Sequence, residues 1–131
     1  MAHADTFHCQ VITPEAAVLD VQASAVVITA HDGKTGILRN RAPLLCKLGI
    51  GELRVTTAEA THHYYVEGGF AHLVDNELTL LTAQAISCGE IDRAAAEKEL
   101  AEAQDKPEAN ADRRSLNISR AKTKIRLAKR S

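Results

Sequence analysis

Thr61-His62-His63-Tyr64-Tyr65-Val66-Glu67-Gly68-Gly69-Phe70-Ala71-His72-Leu73-Val74-Asp75-Asn76-Glu77-Leu78-Thr79-Leu80-Leu81-Thr82 is the stretch that decides the fold. It holds three short runs of β-branched, aromatic and leucine residues, each closed by turn formers, which predicts strands over 61–67, 70–74 and 77–82. Asp75-Asn76 is a two-residue hairpin turn, because Asn and Asp tolerate the positive φ that tight hairpins need. Gly68-Gly69 is not followed by the helix that a phosphate-binding loop requires. In a β-domain such a pair marks a bulge or a close backbone approach.

The same grammar extends toward the N-terminus. Phe7, Cys9 and Val11 alternate along a first strand that stops at Thr13-Pro14-Glu15, where Pro14 removes a ladder donor. Ala25 to Ala30 is a second β-branched run, closed by the turn His31-Asp32-Gly33-Lys34-Thr35-Gly36. Gly36-Ile37-Leu38 and Leu53 to Thr57 add two more strands. Seven or more strands in about 80 residues, with no room for a crossover helix, predict an antiparallel β-sandwich or barrel.

Toward the C-terminus the grammar changes at Gly89. Asp92-Arg93-Ala94-Ala95-Ala96-Glu97-Lys98-Glu99-Leu100-Ala101-Glu102-Ala103 is nearly all strong helix formers, with Asp92 as N-cap and Arg93/Glu97 and Lys98/Glu102 as i, i+4 pairs. Asp105 to Asn110, with Pro107, breaks the helix. A second helix runs from about Ala111 to Lys129, with Ile118, Ala121, Ile125 and Ala128 as a narrow apolar stripe. Helices joined by so short a break pack as an antiparallel hairpin. The predicted fold is therefore a β-sandwich over 1–88 followed by a two-helix hairpin over 89–131. The first helix offers mainly alanine, whose burial at about 25 cal/mol per Å² gains little. Such a hairpin is expected to dock, detach or extend without disturbing the sandwich.

Aromatics are only 3% of the chain and Trp is absent, so the core must be built from Val, Leu, Ile and Ala. Cys9, Cys46 and Cys88 are an odd number without CxxC spacing, which fits a reducing compartment and reads as packing. Met1 to Asp5 lacks the pattern of a secretory signal, and no apolar run approaches the roughly 18 residues of a membrane span. The expected protein is soluble, or reaches a membrane only through partners. The formal charge of −1 conceals a separation: residues 1–108 hold 8 Lys/Arg against 16 Asp/Glu, whereas 109–131 hold 8 Lys/Arg against Asp112 alone. The tail is thus drawn to acidic surfaces.

Catalytic sets do not emerge. His62 and His63 are neighbours on a strand and point to opposite faces, so they read as surface histidines rather than one metal site. His3, His8 and Cys9 have no ligand spacing, and Ser87 and Ser119 sit in no GxSxG elbow. No catalytic residue, metal or cofactor is expected.

The order of the pieces resembles the epsilon subunit of F-type ATP synthases, counterpart of the mitochondrial delta subunit. The matching residues are Val11-Ile12-Thr13-Pro14-Glu15, Asp32-Gly33, Gly36-Ile37-Leu38-Arg39-Asn40-Arg41-Ala42-Pro43-Leu44-Leu45, Leu48 to Gly51, Val66-Glu67-Gly68-Gly69-Phe70, Asn76 to Ala83 and Glu90-Ile91-Asp92. The resemblance implies a non-catalytic rotor subunit at the foot of the central stalk, on the cytoplasmic face of the bacterial inner membrane, in a complex that makes ATP from a proton gradient. Its sandwich would bind the gamma subunit and the c-subunit ring, with His31, Asp32, Gly33, Lys34 and Thr35 at the ring. Its C-terminal helices would reach the catalytic alpha and beta subunits and block rotation in the hydrolytic direction. There Arg113, Arg114, Arg120, Lys122, Lys124 and Arg126 would meet an acidic segment, an attraction that weakens with salt.

Two departures stand out. Arg39-Asn40-Arg41 replaces the family's Pro-Asn-His before Ala-Pro. Some members bind ATP in the folded hairpin through Ile-Asp-x-x-Arg-Ala. Here Arg93 in Ile91-Asp92-Arg93-Ala94 stands two places early, roughly 160° around the helix. Nucleotide binding would rest on Asp92, Arg120 and Lys124. Two other classes compete: a nucleic-acid binder using the basic helix, which lacks an aromatic stacking platform, and a small metalloenzyme using the histidines.

Overall fold

Alternation sets the fold. In β1 (Phe7–Ile12) the side chains of Phe7, Cys9 and Val11 are buried while His8, Gln10 and Ile12 are only half-buried. The same period of two recurs in β3 (Ala25–Ala30), β8 (Phe70–Val74) and β9 (Glu77–Leu81), so each strand has one face for the core. The computed structural model describes residues 6–105 and 111–128. The expectations for Met1 to Asp5, the Pro107 break and the end of the second helix at Lys129 lie outside the described residues.

Ten strands form two five-stranded sheets. In the first, β2 (Ala17–Ala23) and β5 (Leu44–Lys47) are the edges, in the order β2-β1-β9-β8-β5. In the second, β10 (Ala85–Ser87), β7 (Thr61–Glu67), β6 (Ile50–Thr56), β3 and β4 (Gly33–Ile37) follow one another. Every neighbouring pair is antiparallel except β1 with β9, which run parallel. Between the sheets lie Phe7, Val11, Val26, Ile28, Ile37, Leu53, Val55, Leu73, Leu78 and Leu80, all buried. A side chain of this kind contributes about 1.5–3 kcal/mol when buried, so a core nearly free of aromatics suffices.

The turns behave as read. Asp75 and Asn76 take φ of 50° and 61°, the two left-handed positions of a type I′ hairpin turn. Gly69, at φ 101°, passes so close to β9 that a Cβ there would lie 1.9 Å from the Leu81 carbonyl oxygen. One expectation is corrected: only His31 and Asp32 form the turn after β3, and Gly33, Lys34 and Thr35 already belong to β4, paired with Ala30, Thr29 and Ile28.

A short 3-10 turn over Cys88–Glu90 leads into α1 (Arg93–Asp105) and then α2 (Ala111–Ala128). Asp92 caps α1: its Oδ1 accepts the Ala95 N–H at 3.1 Å. The helices pack against each other, and α2 lies on the outer face of the second sheet over β6 and β7. The apolar stripe needs correction. Ala121 is buried, but Ile118, Ile125 and Ala128 are half-buried, and the α2 side chain that seals the junction is Leu127. Leu127 packs with Tyr65 of β7 and with Cys88, flanked by Ile50, Ile86 and Ile91.

Candidate functional site

On β7 the residues Tyr65 and Glu67 are two apart, so both project from the outer face of the second sheet toward α2. On α2, Arg120, Lys124 and Leu127 recur at i, i+4 and i+7 and share the helix face that meets them. The Tyr65 hydroxyl donates to Glu67 Oε1 at 2.5 Å. Glu67 Oε2 stands 3.5 Å from Arg120 Nε, a charge contact rather than a directed hydrogen bond, since that Nε makes none. Lys124 Nζ lies 5.4 Å from the centre of the Tyr65 ring and 3.5 Å from Glu99 Oε2 of α1. Burial first, and the bond to Glu67 second, push the Tyr65 phenol well above its ordinary range, so it remains a donor.

Glu67, Glu99, Arg120 and Lys124 line one cleft of about 430 Å³ between sandwich and hairpin, together with Gln84, Glu102, Ala103, Arg114 and Asn117. Arg114 closes the far end of the hairpin: its Nε and Nη2 donate to the Ala103 and Gln104 carbonyls at 3.2 and 2.7 Å, satisfying the last turn of α1. Arg113, Lys122 and Arg126 are exposed. Of the six cations expected to meet an acidic partner, Arg120 and Lys124 are half-buried in the cleft, Arg114 lines it while exposed, and the other three lie outside it. Asp92, whose side chain caps α1, does not line the cleft that holds Arg120 and Lys124.

A second polar group lies beneath α2. Glu52 of β6 is 4% exposed and binds His63 Nδ1 at 3.0 Å and Arg54 Nη2 at 3.3 Å. His63, read as a surface residue, is half-buried here as the partner of a covered carboxylate. Among the described residues no three His, Cys, Asp or Glu side chains gather to hold a metal. Also among them, no helix is long and apolar enough to cross a membrane. None of the three cysteines is in a disulfide, and Cys9 and Cys88 are buried. Burial, with Asp20 adding to it, pushes the Cys9 thiol up to about 12.

His31 and Asp32 stand exposed in the β3–β4 turn, with Lys34 exposed on the edge strand behind them. The outer face of the first sheet, on which no helix lies among the described residues, presents Leu45, Phe70 and Leu81, more than half exposed. Phe70 and Leu81 are directly paired across β8 and β9, and Ile12 pairs with Leu81 from β1, giving a continuous apolar row.

A ten-stranded sandwich with one bare apolar sheet face and a basic helical hairpin docked on the other defines the class: a β-sandwich with a helical appendage. The β-sandwich domain of the ATP synthase delta/epsilon chain matches residues 6–88. The ATP synthase epsilon chain of Rhodopirellula baltica is 35% identical over 127 residues, covering 95% of this chain and 99% of that protein. Among solved structures, a chain of the Euglena gracilis mitochondrial ATP synthase, solved as OSCP/F1/c-ring, superposes with TM-score 0.74 at 22% identity. It covers 95% of this chain and 78% of that one. A chain of the Tetrahymena thermophila mitochondrial ATP synthase, central stalk and c-ring, gives TM-score 0.64 at 15% identity over 94% and 93%. The chain belongs to the ATP synthase delta/epsilon chain family, and the curated relative it matches over nearly its full length is an epsilon chain.

The cations of α2 were visible in the sequence, but Tyr65, Glu67 and Glu99 were not marked as their partners. The signal was the shared face of Tyr65 and Glu67 on β7, set against the i, i+4 spacing of Arg120 and Lys124.

Proposed function

We propose that this chain is a non-catalytic rotor subunit of the central stalk, in which residues 1–88 couple gamma to the c-ring and residues 89–131 restrain ATP hydrolysis. The observation that carries it is the division of the sandwich's two outer faces. One is covered by the hairpin, while the other leaves Phe70, Leu81 and Leu45 bare, a patch that suits a permanent apolar partner. On this reading gamma covers that face. His31, Asp32, Gly33, Lys34 and Thr35 offer a polar turn and strand edge to the c-ring loops, and the basic face of α2 reaches the alpha and beta subunits. The chain then meets the membrane only through its complex, on the cytoplasmic side of a bacterial inner membrane, during proton-driven synthesis. Likeness to chains from central-stalk and c-ring assemblies supports the placement through the fold.

The test is removal of residues 105–131 within the assembled complex. Assembly is expected to survive, since the sandwich keeps its own core, and ATP hydrolysis is expected to rise. Unchanged hydrolysis at both low and high salt would remove the inhibitory part. Loss of the chain from complexes on substituting Phe70→Asp and Leu81→Asp is expected. Retention of that variant would remove the assignment of the apolar face.

A further inference from the structure

The cleft between sandwich and hairpin holds opposite charges from three different elements. Arg114 on the Ala103 and Gln104 carbonyls, and Lys124 on Glu99, tie the hairpin to itself. Arg120 on Glu67, and Lys124 over the Tyr65 ring, tie α2 to the sandwich. The apolar part of that second tie centres on one side chain, Leu127, in the cluster it shares with Tyr65 and Cys88. Charge adds to what keeps α2 down, and because these contacts are partly exposed, added ions screen them.

We infer that Tyr65 and Glu67 form a catch on β7 that occupies Arg120 and Lys124, so that docking on the sandwich and binding of an acidic partner segment compete for the same two cations. Glu67 stands in, within the chain, for the carboxylates such a segment would bring. Tyr65 keeps Glu67 in place through its short hydrogen bond and offers Lys124 its ring face. Glu99 moves with the hairpin and holds Lys124 in register above that ring, so it positions the cation without anchoring it. Release needs no change in the sandwich. It needs only a carboxylate source strong enough to replace one Glu67 and one aromatic face. The competition for a head subunit rests on the function proposed above, but the catch itself is a property of the free chain and is tested there.

Amide hydrogen exchange of the full chain, followed separately for α2 and for β6 and β7, reads the catch directly. Glu67→Gln keeps an acceptor for Tyr65 and removes the charge. It is expected to speed α2 exchange by about three- to tenfold at low salt while the strands stay protected. Lys124→Gln, which leaves β7 untouched, is expected to act in the same direction. Raising salt to about 0.5 M should reproduce the effect in the unaltered chain and add little in Glu67→Gln. An oligo-glutamate peptide at low salt should also speed α2 exchange in the unaltered chain, and should do nothing when Arg120→Gln and Lys124→Gln are combined. Unchanged α2 protection in both single variants overturns the catch, and so does indifference of the unaltered chain to the peptide. In the assembled complex Glu67→Gln should lower ATP hydrolysis, because the arm is released more often. Faster exchange in the free chain with no change in hydrolysis would retire the inhibitory reading and leave the catch standing.

Discussion

Leu127→Ala offers the sharpest measure of how the hairpin is held. Leu127 is 1% exposed and lies against Tyr65 and Cys88, with Ile50, Ile86 and Ile91 around them. Buried Leu→Ala changes cost about 2–5 kcal/mol, from lost transfer energy plus the cavity left behind. A cluster with three fully buried side chains can partly collapse, which places this site near the low end, about 2–3 kcal/mol. At 1.4 kcal/mol per decade, the equilibrium between docked and released α2 falls roughly 30- to 140-fold. The assay is amide exchange resolved by element: α2 should lose protection by that factor while β6 and β7 keep theirs. Leu116→Ala is the control, since Leu116 is 41% exposed and its loss should shift protection by less than about 0.5 kcal/mol. If Leu127→Ala lowers strand and helix protection equally, hairpin and sandwich unfold as one unit and the separable arm is wrong. If α2 keeps its protection, the anchor has been misassigned.

Three further outcomes follow from the same structure. The Tyr65 phenol binds its proton more tightly folded than unfolded, so its contribution is complete below the ordinary value of 10.0 and is lost as pH rises beyond it. Melting followed by circular dichroism should show a steeper loss of stability between pH 9 and 11 in the unaltered chain than in Tyr65→Phe, and equal slopes would refute the assignment. Gly69→Ala should cost about 2–4 kcal/mol in chemical denaturation, because φ is 101° and the new Cβ meets the Leu81 carbonyl. Gly36→Ala, with nothing within 4 Å, should stay within about 0.5 kcal/mol. Alkylation of the folded chain at pH 8 should modify Cys46 first, since it is only half-buried, and should spare Cys9, whose thiol is held near 12.

Sequence reading recovered β7 and β8 to the residue, because their alternation is bounded by Gly-Gly and Asp-Asn pairs that tolerate few other structures. It passed over β2, where Asp20 and Gln22 dilute the β signal. That strand is held across the sheet, with His8 Nε2 paired to Asp20 at 2.5 Å and Gln10 Nε2 donating to its other oxygen at 3.5 Å. β5 and β10 were unmarked because strands of three or four residues are defined by their neighbours rather than by their own composition. The helix stripe was half right for a related reason. Hydrophobic periodicity found Ala121, but the face toward β7 carries Arg120, Lys124 and Leu127, and two cations in three hide such a face from any apolar pattern. The site was legible on one side only: an excess of positive charge announces itself in the sequence, whereas a carboxylate more than fifty positions away does not.

The single parallel pairing in the first sheet orders events in time. β1 lies between β2 and β9, so one flank of its ladder is filled by residues 17–23 and the other only by residues 77–81. A nascent chain leaving the ribosome therefore carries its first strand half-paired until residues 77–81 have emerged. Phe7, Cys9 and Val11 cannot be sealed into the interior before that moment, and every shorter fragment leaves them open to solvent or to chaperones.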